Sequence, residues 1–481
     1  MTTCYEQFLR MLDFTDEECK ELLPQWIHAC RLFGLTESDL CFATEQWIPA
    51  YWDLSLHGVR RCIGAFIREF ITISRLEEFK AKGDKLVYFN MPSHPACAYA
   101  NKISGGEGIH TASPDFIISS VFNAFFHKNT VLEDITASCM NPMCNHCGMN
   151  RLRADAHHQN MVAVPDVMWN WGLFCNESPK TEELIECTGP DGWEYVLTFL
   201  PHDVNFGVHE VDDPDRARYL AEQLRSSQEQ VSRITGVAVT DQNMKEAIEA
   251  YMSYIHKLDE LTMLVATSDP QPISGNDLTI FSVLAHAAFD TGFRYFNEAI
   301  DEVLVEVRER IERHDGALAA GAPKLACHFV PYCVPWVSKA FSENGVNLTI
   351  NTMFASASAM ENVIDSTDVF TTIARQWLCN PSAVNLGDEA FMMSRLLSCV
   401  PVDGVLFGFF SFDRWLGGLQ KTMIKLVEQQ SGVPGYYLEG DFWTDEKYSL
   451  EDRLSRIESI AYKIKINHMI NGWKNVQNKN T

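Results

Sequence analysis

Four short, nearly unbroken apolar runs divide the last third of the chain: ACHFVPYCVPW, VNLTINTMF, VDGVLFGFFSF and PGYYLEGDF. Between them lie segments with helical spacing, such as AMENVIDSTDVFTTIARQWL and LGGLQKTMIKLVEQQSG. A strand that is apolar on both faces must be covered on both, and helices between successive strands are what a parallel sheet needs to return the chain to its starting edge. The pattern therefore selects an α/β layer architecture.

The same grammar occurs once before. LVYFNMP (86–92) reads as a buried strand ending in a Pro-containing turn, and FIISSVFNAFF (116–126) as a helix packed against it. VPDVMWNWGLF and WEYVLTFLPHD read as further strands, followed by an amphipathic helix, DPDRARYLAEQLRSSQEQVSRITG, that stops near Gly236. Helical spacing dominates residues 1–80, where Thr15 and Ser38 are the expected N-caps, and again from 211 to the run that ends in VEVRERIERH. The expected fold is α/β, with two Rossmann-like (flavodoxin-like) parallel-sheet domains. The expected division is a helical N-terminal region at 1–80, a first α/β domain at 81–210, a helical linking region at 211–325 and a second α/β domain at 326–481.

With 64 acidic against 39 basic side chains, the chain carries a formal charge of −25. That charge repels phosphate backbones and anionic lipid surfaces, so neither nucleic acid nor a membrane is an expected partner. No run approaches the roughly 18 apolar residues of a membrane span. Fifteen cysteines, an odd number, behind the leaderless start MTTCYEQFLRMLDF point to a reducing compartment and a cytoplasmic protein.

Three of those cysteines, Cys139, Cys144 and Cys147, fall within SCMNPMCNHCGMNR, and Cys175 closes VPDVMWNWGLFCN. Thiolates from separate turns can converge on one soft metal or iron–sulfur centre, and Pro142, Gly148, Pro165 and Gly172 let the backbone bend toward it. Cysteine is also among the most buried residue types, which accounts for most of the others. Cys144-x-x-Cys147 with His146, His157 and His158 permits zinc as well, although the histidine pair sits on an expected helix as a surface or capping feature and no second Cys-x-x-Cys follows. His94 and Cys97, in NMPSHPACAY after the first strand, are candidate proton carriers. Asp413, Glu439 and Asp441 follow strand ends, where parallel sheets place ligands; Glu439 and Asp441 also suit capping of the next helix.

The passage VDGVLFGFFSFDRWLGGLQKTMIKLVEQQSGVPGYYLEGDFWTDEKYSLEDRLSRIESI resembles the ending of the 2-hydroxyacyl-CoA dehydratase and benzoyl-CoA reductase family. The shared order is a DGV strand, a cluster-ligand turn, a helix, a G-[IV]-P strand, a GD turn and a closing R-[IL]-E helix. Upstream, Cys147-Gly148 followed by Arg151 looks like the family's first ligand segment, and Cys175 looks like its second. The resemblance spans roughly residues 80–470 and leaves the first 80 unassigned. It implies an oxygen-sensitive enzyme subunit with one [4Fe-4S] cluster on three cysteines and an open iron site. The cluster delivers a low-potential electron to a CoA thioester, giving a ketyl radical anion that expels the 2-hydroxyl and acidifies the β-proton. It further implies an acyl-CoA substrate, a homologous second subunit and a separate ATP-dependent electron activator. The absence of G-x-x-x-x-G-K-[ST] from this chain fits ATP being handled elsewhere.

The resemblance breaks at one position. Counted from the DGV strand, the family's third cluster cysteine falls on Asp413, followed by Arg414. A carboxylate is a harder ligand than a thiolate and would change potential and lability. Three arrangements stay open: a cluster on Cys147, Cys175 and Asp413; one rearranged onto Cys144 or Cys139; or no cluster of the family's kind. The functional expectation is 2-hydroxyacyl-CoA dehydration, with His94 assisting proton transfer. The alternatives are ring reduction of the benzoyl-CoA type and a non-redox accessory subunit with a degenerate or zinc-bearing site.

Overall fold

The structure is a computed structural model that describes residues 3–128, 146–172, 177–188, 191–200, 213–329, 333–352, 368–378, 386–409, 416–445 and 449–479. Eight strands form two sheets. The first contains β1 (Lys85–Phe89), β2 (Ile109–Ala112), β3 (Val167–Gly172) and β4 (Glu194–Phe199), in the order β2-β1-β3-β4. The second contains β5 (Lys324–His328), β6 (Asn347–Asn351), β7 (Gly404–Phe409) and β8 (Gly435–Glu439), in the order β6-β5-β7-β8. Every pairing is parallel. Both sheets thus run 2-1-3-4, the first four strands of the flavodoxin-like winding, and the expected α/β fold with two parallel sheets holds. In that order the chain reverses direction across the sheet between the first and third strands, so a crevice opens at the carboxyl ends of β1 and β3, and again of β5 and β7.

The apolar runs become strands for the reason their sequences suggest. Leu86, Val87, Tyr88 and Phe89 of β1 are all buried, as are all five residues of β5. Register is set at the opposite end by an aspartate before the third strand of each sheet. The Leu86 N–H donates to Asp166 Oδ2 at 2.9 Å, and the Lys324 N–H to Asp403 Oδ2 at 2.9 Å. The aspartate of the DGV motif is therefore a strand clamp, and Asp166 is its counterpart in the first sheet.

One apolar core runs through the described residues of the N-terminal helices, both sheets and the helices between them. The His57–Ile73 helix packs on Arg294–Arg313 so closely that a Cβ on Gly58 would lie 2.5 Å from Val303 N. Thr15 caps Asp16–Leu32 as expected, in a reciprocal box with Glu18. Ser38 does not cap the next helix. Thr36 does, because Asp39 stands three residues beyond it and returns a hydrogen bond to its N–H at 2.7 Å. The helix read at 116–126 begins at Pro114 and widens to a π-turn over Ser120–Phe125. No described helix is long and apolar enough to cross a membrane.

Candidate active site at the carboxyl ends of the sheets

Cys147 is the N-cap of the Gly148–His158 helix and is nearly buried, at 8% exposure. The first amide of that helix points into the other sheet's territory. Gly148 N–H donates to Asp441 Oδ2 at 2.8 Å, and Asp441 Oδ1 accepts from Trp443 N–H at 2.9 Å. Asp441, just past β8, was expected to cap the helix that follows it; it instead satisfies a helix 293 residues earlier in the chain. Burial pushes its carboxyl up to about 6. A Cβ on Gly148 would lie 2.7 Å from Thr444 Cγ2 and 3.3 Å from Asp441 Oδ2, so glycine is what allows the two lobes to meet here. Cys333 joins the same junction: its N–H donates to Phe442 O at 3.1 Å and its Sγ lies 3.7 Å from Ser119 O.

Arg153, one and a half turns into the Cys147 helix, is fully buried and uses all five donors. Nε reaches Asp115 Oδ2 at 3.1 Å. Nη1 reaches Glu182 Oε1 at 2.7 Å and Ser178 Oγ at 3.0 Å. Nη2 reaches Met91 O at 3.2 Å and Asp115 Oδ2 at 2.5 Å. Asn90, directly after β1, adds a 2.6 Å bond to Glu182 Oε1. One guanidinium thereby ties the Cys147 helix to the turn after β1 and to the Pro114–Ser119 and Glu177–Thr188 helices. Burial opposes its charge, yet Asp115 and Glu182, with a contribution from Cys147, hold it above the ordinary guanidinium value. Glu182 is raised, by burial first, against the pull of Arg153. Sequence reading missed this network, since its members are separated by 29 and 38 residues.

His94 caps the Pro95–Gly105 helix: its Nδ1 accepts from Ala96 N–H at 3.3 Å, which leaves the proton on Nε2. Burial, then His286, pushes its pKa down to about 3, so it is a neutral imidazole at physiological pH. Gln376 lies beside it and favours the protonated form, but neither His94 Nε2 nor Gln376 Oε1 completes a hydrogen bond. Cys97 is buried one turn on, its thiol pushed up by burial. Around His94 stand Tyr251, Trp377 and Trp171, with ring centroids 4.9, 5.7 and 6.3 Å away.

In the second sheet a histidine closes the first strand itself: His328 is the last residue of β5. Its Nδ1 lies 2.9 Å from Thr352 Oγ1 and its Nε2 3.1 Å from Glu389, a carboxyl raised by burial. Sequence reading missed this pair as well; a histidine closing an apolar strand was the available signal.

Cys139, Cys144, Cys175 and Asp413 lie outside the described residues, so of the expected cluster ligands the structure places Cys147 alone. Among the described residues no three His, Cys, Asp or Glu side chains gather as a metal site. The single donor present does suit a thiolate ligand, since helix amides and the Arg153 charge attract a negative sulfur. The histidine pair does not belong to it. His157 is ten residues along the helix from Cys147, about 15 Å at 1.5 Å per residue, and is buried against Tyr88 rather than at the surface.

The sequence model of a family described as 2-hydroxyglutaryl-CoA dehydratase, D-component, matches residues 175–460. No curated protein matches the chain. The match takes in β4, the linking helices and the whole second sheet, more than half of the 481 residues. On that match the chain belongs to the 2-hydroxyglutaryl-CoA dehydratase D-component family, a dehydratase family whose members act with a partner subunit and an activator.

Proposed function

We propose that this chain is an iron–sulfur subunit of a 2-hydroxyacyl-CoA dehydratase. The observation that carries the reading is the family match over 175–460, which begins at Cys175 and continues through Asp413 to the GD turn at Asp441. Cys147 supports it, because it stands where the Asp441 end of the second sheet reaches the first lobe. In this reading Cys147 and Cys175 hold a [4Fe-4S] cluster, completed by Asp413 or by Cys144 or Cys139. When bound, such a cluster supplies a low-potential electron to the thioester, which is returned once the 2-hydroxyl has left and the β-proton has been removed. The net change is loss of water from a 2-hydroxyacyl-CoA to give a 2-enoyl-CoA.

The chain's own residues supply position and exclusion of water. Arg153 fixes the Cys147 helix against the turn after β1 and the Pro114–Ser119 and Glu177–Thr188 helices. Asp441 absorbs the first helix amide, so that the N-terminus is held from the opposite lobe. His94, neutral and locked as the Nε2–H tautomer, offers a hydrogen-bond donor beside the aromatic side chains rather than a charge. The partners are a homologous second subunit and an ATP-dependent activator, and the compartment is the cytoplasm.

The aspartate at 413 favours a second reading, a non-redox accessory subunit, because a hard ligand holds the cluster less firmly. The test is turnover. The purified complex, incubated without oxygen with activator, ATP, a strong reductant and 2-hydroxyacyl-CoA thioesters, is expected to form 2-enoyl-CoA detectable by mass spectrometry. Absence of enoyl-CoA from a complex whose activator is competent would overturn the enzyme reading.

A further inference from the structure

Cys4 and Cys41 are 37 residues apart in the chain, and their sulfurs lie 2.9 Å from each other. At that distance one S–H points at the other sulfur, as a thiol–thiol hydrogen bond. A disulfide holds its sulfurs about 2.05 Å apart, so roughly 0.9 Å of approach turns the contact into a bond. Cys4 opens the Cys4–Met11 helix behind its Thr3 cap, and Cys41 lies in the last turn of the Glu37–Phe42 helix. The approach therefore bends helix ends and no helix interior. Both thiols are half-buried, whereas Cys19, Cys30, Cys62, Cys97, Cys327 and Cys333 are buried. A small oxidant in solution meets this pair more readily than it meets those. Cys41 is pushed up to about 11, first by its hydrogen bond with Cys4, so Cys41 holds the shared proton.

The two helices that carry the thiols grip the same stretch of chain. From the first, Phe8 stacks on Trp26 and on Phe126, each with ring centroids 5.3 Å apart. From the second, Asp39 Oδ2 accepts from Lys128 Nζ at 2.6 Å, and the same ammonium donates to Gly34 O at 2.7 Å. Phe126 and Lys128 stand just ahead of Cys139, Cys144 and Cys147 in the sequence. A covalent tie between the helices would hold this stretch from both sides.

We propose that Cys4 and Cys41 form a reversible modification site, a redox latch that a peroxide closes into one disulfide and a dithiol reopens. Peroxide oxidises Cys4 Sγ to the sulfenic acid and releases one water. Cys41 Sγ then bonds to Cys4 Sγ, and the hydroxyl leaves with the Cys41 proton as a second water. Two thiols lose two electrons, and one peroxide becomes two waters. Closure joins the Cys4–Met11 helix to the Glu37–Phe42 helix and suppresses local opening of the first. The latch lies outside the family match over 175–460 and does not depend on the dehydratase reading.

Peptide mapping tests it. The protein, purified without oxygen, is given hydrogen peroxide at a dose that modifies the exposed Cys187 and Cys399, then blocked with iodoacetamide and digested without reductant. The expected product is a peptide pair joined from Cys4 to Cys41, about 2 Da lighter than the two thiol peptides together. Dithiothreitol should abolish it, and Cys41→Ser should lack it. Amide hydrogen exchange over residues 4–12 and 122–128 should slow several-fold in the closed form and stay at the reduced rate in peroxide-treated Cys41→Ser. Recovery of both cysteines alkylated, of Cys4 as sulfinic acid, or of either joined to a different cysteine would overturn the modification site. A cross-link that leaves exchange over 122–128 unchanged would overturn the latch.

Discussion

Replacing Arg153 with methionine removes the positive charge that pairs with two buried carboxyls, Asp115 and Glu182. Breaking a buried ion pair by deleting one partner costs about 3–5 kcal/mol, because the remaining charge is stranded. If all 481 residues unfold as one unit, at roughly 2.1 cal/mol/K per residue, that cost lowers Tm by about 3–5 °C, and a smaller cooperative unit would show more. The pH dependence has a definite sign. Glu182 is already raised by burial against the pull of Arg153, and without the guanidinium that pull is gone. Its stabilising contribution is complete below the unfolded value, near pH 4, and is lost as pH rises through the folded value. The deficit relative to the natural chain should therefore be larger at pH 8 than at pH 5. Scanning calorimetry of both proteins at the two pH values is the assay. A variant within 1 °C of the natural chain, or one equally destabilised at both pH values, would refute the account of the network.

Gly148→Ala places a Cβ 2.7 Å from Thr444 Cγ2 and should cost about 1–3 kcal/mol as an overpacked contact; Thr444→Ser, which removes that methyl, should restore much of it in denaturant titrations. Asp441, raised to about 6 by burial, loses its stabilising contribution as pH rises from near 4 through 6. Asp441→Asn lacks that titration, so its stability relative to the natural chain should climb by up to about 3 kcal/mol across that window, from about 1.4 kcal/mol per pKa unit. A difference that stays flat from pH 4 to 7 would contradict the buried position of Asp441.

Strands were readable from sequence wherever the run was long enough to be apolar on both faces. LVYF, GVLFGF and GYYLE all became strands within a residue or two of the expected place. Ile109–Ala112 was not readable, because four residues including His110 and Thr111 carry no such signal; His110 is buried by stacking on Phe79, with its Nδ1 2.9 Å from Asp290 Oδ2. The cap at Thr36 was legible in principle as Thr-x-x-Asp, and choosing Ser38 overlooked the reciprocal bond. His157 looked like a surface residue because helix ends usually are. It is buried because its helix lies between the strands and the second lobe, with every residue from Gly148 to His157 buried. The site was legible as a set of cysteines and strand ends, since chemistry-bearing residues after apolar runs stand out locally. The supports were not: Asp441 to Gly148 and Arg153 to Asp115 and Glu182 join positions that only the winding of two sheets brings together.

The proposed function requires this chain to hold an iron–sulfur cluster with Cys147 among its ligands. Iron and acid-labile sulfide per chain, measured on anaerobically purified complex with absorbance near 400 nm and a parallel zinc determination, test it most directly. About four irons and four sulfides per chain, the content of one cubane, is the result the account predicts, with loss in Cys147→Ser and firmer retention against a chelator in Asp413→Cys. Iron that remains near zero after reconstitution with ferrous iron and sulfide, with or without bound zinc, would contradict it.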